Sequence, residues 1–197
     1  MERRTERQIR TMGCRFETRE ENSERRIEGY FNVFGDVYEL WPGATESVDA
    51  HAFDGTLTND IRALVNHDTT LVLGRNKAGT LTLRADEYGL WGSVLINPDD
   101  QDAMNLYARV QRGDVSQCSF GFDILDQETE YREDGSVHWT IKQVELYEVS
   151  VVTFPAYRET EVQARREEYE TMRKRRAEVW RHGQIERLRA AITRKEA

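Results

Sequence analysis

The sequence is poor in the residues that break, cross-link or anchor a chain. It has 3 prolines and 2 cysteines in 197 residues. Cys14 and Cys118 cannot build a disulfide scaffold, and no Cys-x-x-Cys pair signals zinc. Both read as small buried side chains in a reducing compartment. No run approaches the roughly 20 apolar residues needed to cross a bilayer. The opening stretch MERRTERQIR has no apolar segment, which argues against a secretory signal peptide. A basic excess is also missing, since the formal net charge is -8. Residues 165–197 hold 11 Lys/Arg against 6 Asp/Glu, or +5, leaving -13 for residues 1–164. An acidic body argues against a nucleic-acid-binding core. The basic tail reads first as a solvated helical face that could touch an acidic partner or RNA.

What is present is a polar globular chain, 38% hydrophobic and 32% charged, of a length that suits one domain and a short appendage. The first ten residues are polar and expected to fray. Strands are expected over 14–20 and 25–35. In the second, Ile27, Gly29, Phe31 and Val33 alternate with Glu28, Tyr30 and Asn32. Residues 48–62 suggest short helical turns, with Asp54 and Thr58 as caps. Strands follow at 63–67, 71–74, 80–84 and 89–96. Asn97-Pro98-Asp99 opens a helix to about Gln111, with Ala103, Leu106, Tyr107 and Val110 on one face, and Arg112-Gly113-Asp114 ends it. Further strands are expected at 117–125, 138–144 and 146–153. From Arg158 a long helical pattern runs without Gly or Pro to Gly183, and its few large apolar residues call for a partner. About eight short strands with one internal helix favour a barrel or a sandwich.

Of four histidines, His51, His67, His138 and His182, only His67 sits where a strand runs into a polar turn, in Asn66-His67-Asp68. Such a histidine can equally be an ordinary loop residue. Imidazole is the natural general base near neutral pH. Ser119, in Ser119-Phe120-Gly121-Phe122, could be plain sheet packing, or a nucleophile if a base lies within reach. Glu148 interrupts the apolar strand Leu146–Val152, where a carboxylate is costly to bury unless paired. Facing water on an edge strand is its ordinary alternative. Glu145 and His138 are competing orienters. Together the residues offer base, nucleophile and acid, although chain order by itself excludes nothing.

An ordered series of phrases then resembles the prohead maturation proteases of tailed phages, distant relatives of the herpesvirus assemblins. It includes Gly29-Tyr30-Phe31-Asn32-Val33-Phe34-Gly35, Asn66-His67-Asp68 and Arg112-Gly113-Asp114-Val115-Ser116. Ser119-Phe120-Gly121-Phe122, Leu146-Tyr147-Glu148-Val149-Ser150 and Pro155-Ala156-Tyr157 complete it, and the likeness spans about residues 25–162.

The resemblance implies a serine endopeptidase with His67 as base, Ser119 as nucleophile and Glu148 as the acidic third member, needing no metal or organic cofactor. It implies an α+β fold, mainly β: a small closed β-barrel flanked by helices, followed by a long C-terminal helix. The expected organisation is a flexible segment 1–12, a barrel domain 13–162 and a basic helical tail 163–197. The implied partners are the phage major capsid protein and its scaffold segment, met inside the procapsid in the host cytoplasm, with no membrane and no specific nucleic acid. The likeness to assemblin also raises homodimerisation, which the residues themselves do not establish. The rival readings are a catalytically silent scaffold or capsid-binding module, and a small-molecule-binding barrel for which no positive feature is found.

Overall fold

The computed structural model describes residues 8–13, 16–21, 23–154 and 158–193. The chain divides into two compact units, Met1–Ala156 and Tyr157–Ala197. Among the described residues, the first unit is built on a long antiparallel ladder between β10 (Gln117–Tyr131) and β11 (Val137–Val152). The other edge of β10 takes β1 (Gln8–Gly13). The other edge of β11 takes two parallel strands in succession. β5 (Ala44–Val48) pairs with Val137–Ile141, and β6 (Arg62–Val65) pairs with Glu148–Val151. β4 (Tyr38–Trp41) extends β5, and β7 (Asp68–Arg75) extends β6. A second sheet has the order β2 (Glu17–Glu21), β3 (Glu24–Val33), β9 (Gly89–Ile96), β8 (Leu81–Ala85).

These two sheets are open, so the mainly β expectation holds and the closed barrel does not. β11 gives its outer edge to two short parallel strands, each belonging to its own hairpin, and among the described residues no strand returns to close the sheet onto β1. The second sheet ends at β2, where Glu17 and Arg19–Glu21 are exposed, a charged edge of the kind that discourages further pairing. A single buried cluster joins the sheets. Phe120, Phe122, Val149 and Val151 come from the first, and Ile27, Phe31, Leu90 and Val94 from the second.

α1 (Gln101–Arg112) packs against the second sheet at β2, β3 and β9. It buries the four residues expected, Ala103, Leu106, Tyr107 and Val110. The Asp100 side chain caps it by accepting from the N–H groups of Asp102 and Ala103, and Gly113 ends it at φ 88°.

Several elements differ from expectation for reasons that can be named. Gln8–Gly13 is a strand despite its polar sequence, because backbone pairing to β10 needs no hydrophobic alternation. Residues 50–58 are successive turns rather than helix, closed by bonds such as Ala52 N–H to Asp49 O and Asn59 N–H to Thr56 O. β11 runs unbroken through Glu145. In β3, a bulge between Tyr30 and Asn32 inverts the alternation, so Asn32 is fully buried and Val33 is not. Cys118 is fully buried as expected, but it is a half-cystine rather than a thiol; Cys14 lies outside the described residues.

The second unit contains α2 (Arg158–Thr193), which continues through Gly183. It exposes Val179, Trp180 and Ile185. No helix among the described residues is long and apolar enough to cross a membrane.

Candidate functional site

The site is assembled where β6 joins β11 and β11 joins β10. Cys118, Phe120 and Phe122 point into the core, so Ser119 and Gly121 between them point to the opposite face of the sheet. On β11 the same alternation puts Val149 and Val151 inward and Glu148 and Ser150 outward. Register then sets Ser119 opposite Ser150 and Gly121 opposite Glu148. Directly opposed residues of an antiparallel pair bring their Cβ atoms to about 5 Å.

His67 reaches this face from the turn between β6 and β7. Val65 pairs with Asp68, leaving Asn66 and His67 as a two-residue loop, and both have positive φ, 50° and 61°. That is the φ signature of a type I′ hairpin turn, which suits Asn and Gly and strains most other residues. Asn66 secures the turn to the end of β11. Its N–H donates to Val151 O at 3.0 Å, its side-chain oxygen accepts from Thr153 N–H at 2.8 Å, and its amide nitrogen donates to Thr153 Oγ1 at 3.4 Å. The hairpin base is held as well. Arg75 makes a two-pronged contact to Asp60, 2.7 Å at each oxygen, and the Arg75 guanidinium is the main reason the Asp60 carboxyl is lowered to about 2. Asn76 accepts from Ile61 N–H at 3.0 Å and donates to Asn59 O at 2.6 Å.

The result is a connected polar group. His67 Nδ1 lies 2.7 Å from Glu148 Oε1. The Ser150 hydroxyl donates to Glu148 Oε2 at 2.6 Å and accepts from His67 N–H at 3.3 Å. Glu148 is 3% exposed, so both carboxylate oxygens are satisfied by protein. A partner on each oxygen fixes the carboxylate, and the carboxylate fixes the ring. His67 Nε2 is buried with no hydrogen-bond partner among the described residues. Gly121 supplies the space, because a Cβ there would collide with Glu148 Oε1. Ser119 shares the face, opposite Ser150, and is fully buried.

The predicted residues therefore separate. His67 and Glu148 are joined by a hydrogen bond, and Ser119 lies one strand away on their face. The competing orienters are elsewhere. His138 has Thr45 Oγ1 at 2.7 Å and Ser47 Oγ at 2.9 Å, at the other end of β11. Glu145 stands opposite Asp123. Beside it, Tyr147 donates to Asp123 Oδ2 at 2.9 Å, and burial, reinforced by that carboxylate, pushes its phenol well above the usual range.

Comparison with known proteins decides the family. A family model described as caudovirus prohead serine protease matches residues 14–175. The chain belongs to this family. The prohead protease of Enterobacteria phage HK97 is 31% identical over 137 residues, which cover 66% of this chain and 55% of that protein. The chain thus spans about half the length of the curated relative it matches. Among solved structures, the bacteriophage T4 capsid assembly protease, gp21, has a TM-score of 0.50 at 12% identity. That match covers 76% of this chain and 98% of the T4 chain, and shows likeness of fold.

Within the prohead protease fold, three contributors had not been assigned a role from sequence: Ser150, Gly121 and the Asn66–Thr153 clamp. Ser150 had a readable signal. It follows Glu148 by two residues on a strand, so it must share Glu148's face. The other two depend on register and on backbone conformation, which no local pattern displays.

Proposed function

We propose that the chain is a serine endopeptidase of phage procapsid maturation, with Ser119 as nucleophile, His67 as general base and Glu148 as its orienting acid. The observation that carries the proposal is the His67–Glu148 pair, held at 2.7 Å on the face that bears Ser119. Membership of the prohead serine protease family supports the reaction class.

A carboxylate at Nδ1 selects the tautomer with its proton there, which leaves the Nε2 lone pair to accept one. Nε2 takes the Ser119 hydroxyl proton as Oγ attacks a peptide carbonyl. The tetrahedral intermediate collapses with cleavage of the C–N bond, and the Nε2 proton passes to the departing amine. Water, deprotonated by the same nitrogen, then releases the acyl group. Glu148 keeps its charge throughout and stabilises the imidazolium. The proposed substrates are the capsid protein's scaffold segment and the protease itself, inside the procapsid in the host cytoplasm.

The test compares wild type with Ser119→Ala, each co-expressed with the cognate capsid protein and scaffold, by intact mass. Trimming present in wild type and absent in the variant is expected. Equal processing in both, or none in either, would favour the silent assembly module.

A further inference from the structure

We propose that the outer edge of β8 is an interface between two copies of this chain, which pair antiparallel about Leu83 and join their second sheets into one. The inference does not depend on the role proposed for Ser119.

An open sheet edge is a template for further pairing, and chains guard such edges with charge, bulges or brevity. Of the five edge strands among the described residues, four are guarded. β1 carries Arg10, and β2 carries Glu17, Arg19, Glu20 and Glu21. β4 is four residues long, includes Glu39 and shifts register against β5. β7 shifts register twice against β6 and is bounded by Asp68 and Arg75. β8 has none of these protections. It reads Leu81-Thr82-Leu83-Arg84-Ala85, pairs with β9 without a register shift, and has no strand on its other side among the described residues. Its one charge is laid back over β9. The Arg84 guanidinium lies 4.1 Å from the centre of the Trp91 ring, and its Nε is 3.8 Å from Asp86 Oδ2.

The strand is also complementary to itself. In an antiparallel pair centred on Leu83, that leucine meets its own copy, Thr82 faces Arg84, and Leu81 faces Ala85. Two-fold symmetry makes the last two contacts twice. Directly opposed residues share a face, so Leu83, half-buried on the core side, is covered by its copy. Other centres fit worse. Centring on Arg84 opposes two guanidiniums, and like charges directly opposite are destabilising. Centring on Thr82 sets Ala85 against Gly79, whose φ of 72° has left extended backbone. β8 lies in the second sheet, across the core from the face that carries Ser119, His67 and Glu148, so the pairing leaves that face uncovered. A ladder five residues long is a small contact, so the association is transient and its extent follows local concentration.

The test is sedimentation velocity on the full chain over a concentration series, for wild type, Thr82→Glu and Thr82→Lys. Thr82 is exposed, so neither substitution disturbs the core. Glutamate at 82 faces Arg84 across the dyad twice, and lysine opposes it twice. The dimer dissociation constant should therefore fall about fivefold for Thr82→Glu and rise about fivefold for Thr82→Lys. Both shifts should shrink at about 1 M salt. In wild type, hydrogen exchange should show amides within residues 81–85 gaining protection as concentration rises. A chain that stays monomeric up to about 1 mM would overturn the proposal. So would a dimer whose constant does not move in opposite directions in the two variants, because its contact must then lie elsewhere. Neither result bears on the protease reading.

Discussion

At the scale of single residues, the site depends on atoms that are missing as much as on those present. Gly121 lacks the Cβ that would occupy the place of the Glu148 carboxylate. Gly121→Ala is therefore expected to keep the fold but turn Glu148 away from His67. Misplacement of about 1 Å costs roughly 100-fold in rate, so kcat should fall by about that factor with KM little changed. Steady-state kinetics on a reporter peptide checks this, and an unchanged kcat would show that Glu148 does not orient the base. His67 carries a second cost, a left-handed backbone at φ 61°. Both His67→Ala and His67→Gly should be inactive. The glycine variant should be the more stable by about 1 kcal/mol, reversing the usual order, because only alanine retains the strain. Urea denaturation of the two variants measures the difference. His67 and Ser119 stood out in the sequence as candidates, since each stands in a distinctive phrase, and the fold brings them to one face. The strain at His67 was not legible, because backbone conformation at a two-residue turn follows from how the flanking strands pair.

At the scale of elements, the legible parts were those with strong local periodicity. α1 matched its four buried positions because a cap, an amphipathic stripe and a terminating glycine all lie within one short stretch. Alternation in β3 was legible only as far as Phe31, because the bulge that follows inverts which side chains face inward. β1 was not legible at all, since a strand held by backbone pairing leaves no side-chain pattern. The β6–β7 hairpin that presents His67 is pinned by the Asp60–Arg75 contact, and this makes an acid-stability prediction. Asp60 sits at about 2 in the fold against an ordinary 3.8. The unfolded chain therefore binds more protons in that interval, and stability must fall as pH falls through it. The contribution is complete above about pH 4 and lost towards pH 2. Asp60→Asn should show a shallower fall in melting temperature over that window than wild type; parallel curves would mean the contact is too solvated to matter.

At the scale of the whole molecule, the closed barrel gives way to two open sheets because β11 divides its outer edge between β5 and β6. The second unit is a helix with exposed Val179, Trp180 and Ile185 and a net positive sequence. It is expected to dock on assembly partners rather than to serve chemistry. Deleting residues 165–197 should abolish incorporation into procapsids while sparing hydrolysis of a reporter peptide, measured by sedimentation of assembled shells and by peptide kinetics. Unchanged incorporation would remove the tail from the packaging role. The arrangement of β11 also bears on timing during synthesis. Glu148 and Ser150 meet His67 only after Glu148–Val151 has paired with a strand more than 80 positions earlier in the chain and with β10 on its other side. Pairings of such long sequence separation are among the last to form in folding. A ribosome must therefore have released nearly all of the first unit before the proposed catalytic group can exist. On the proposed reading, the chain stays inert towards its neighbours while it is being made.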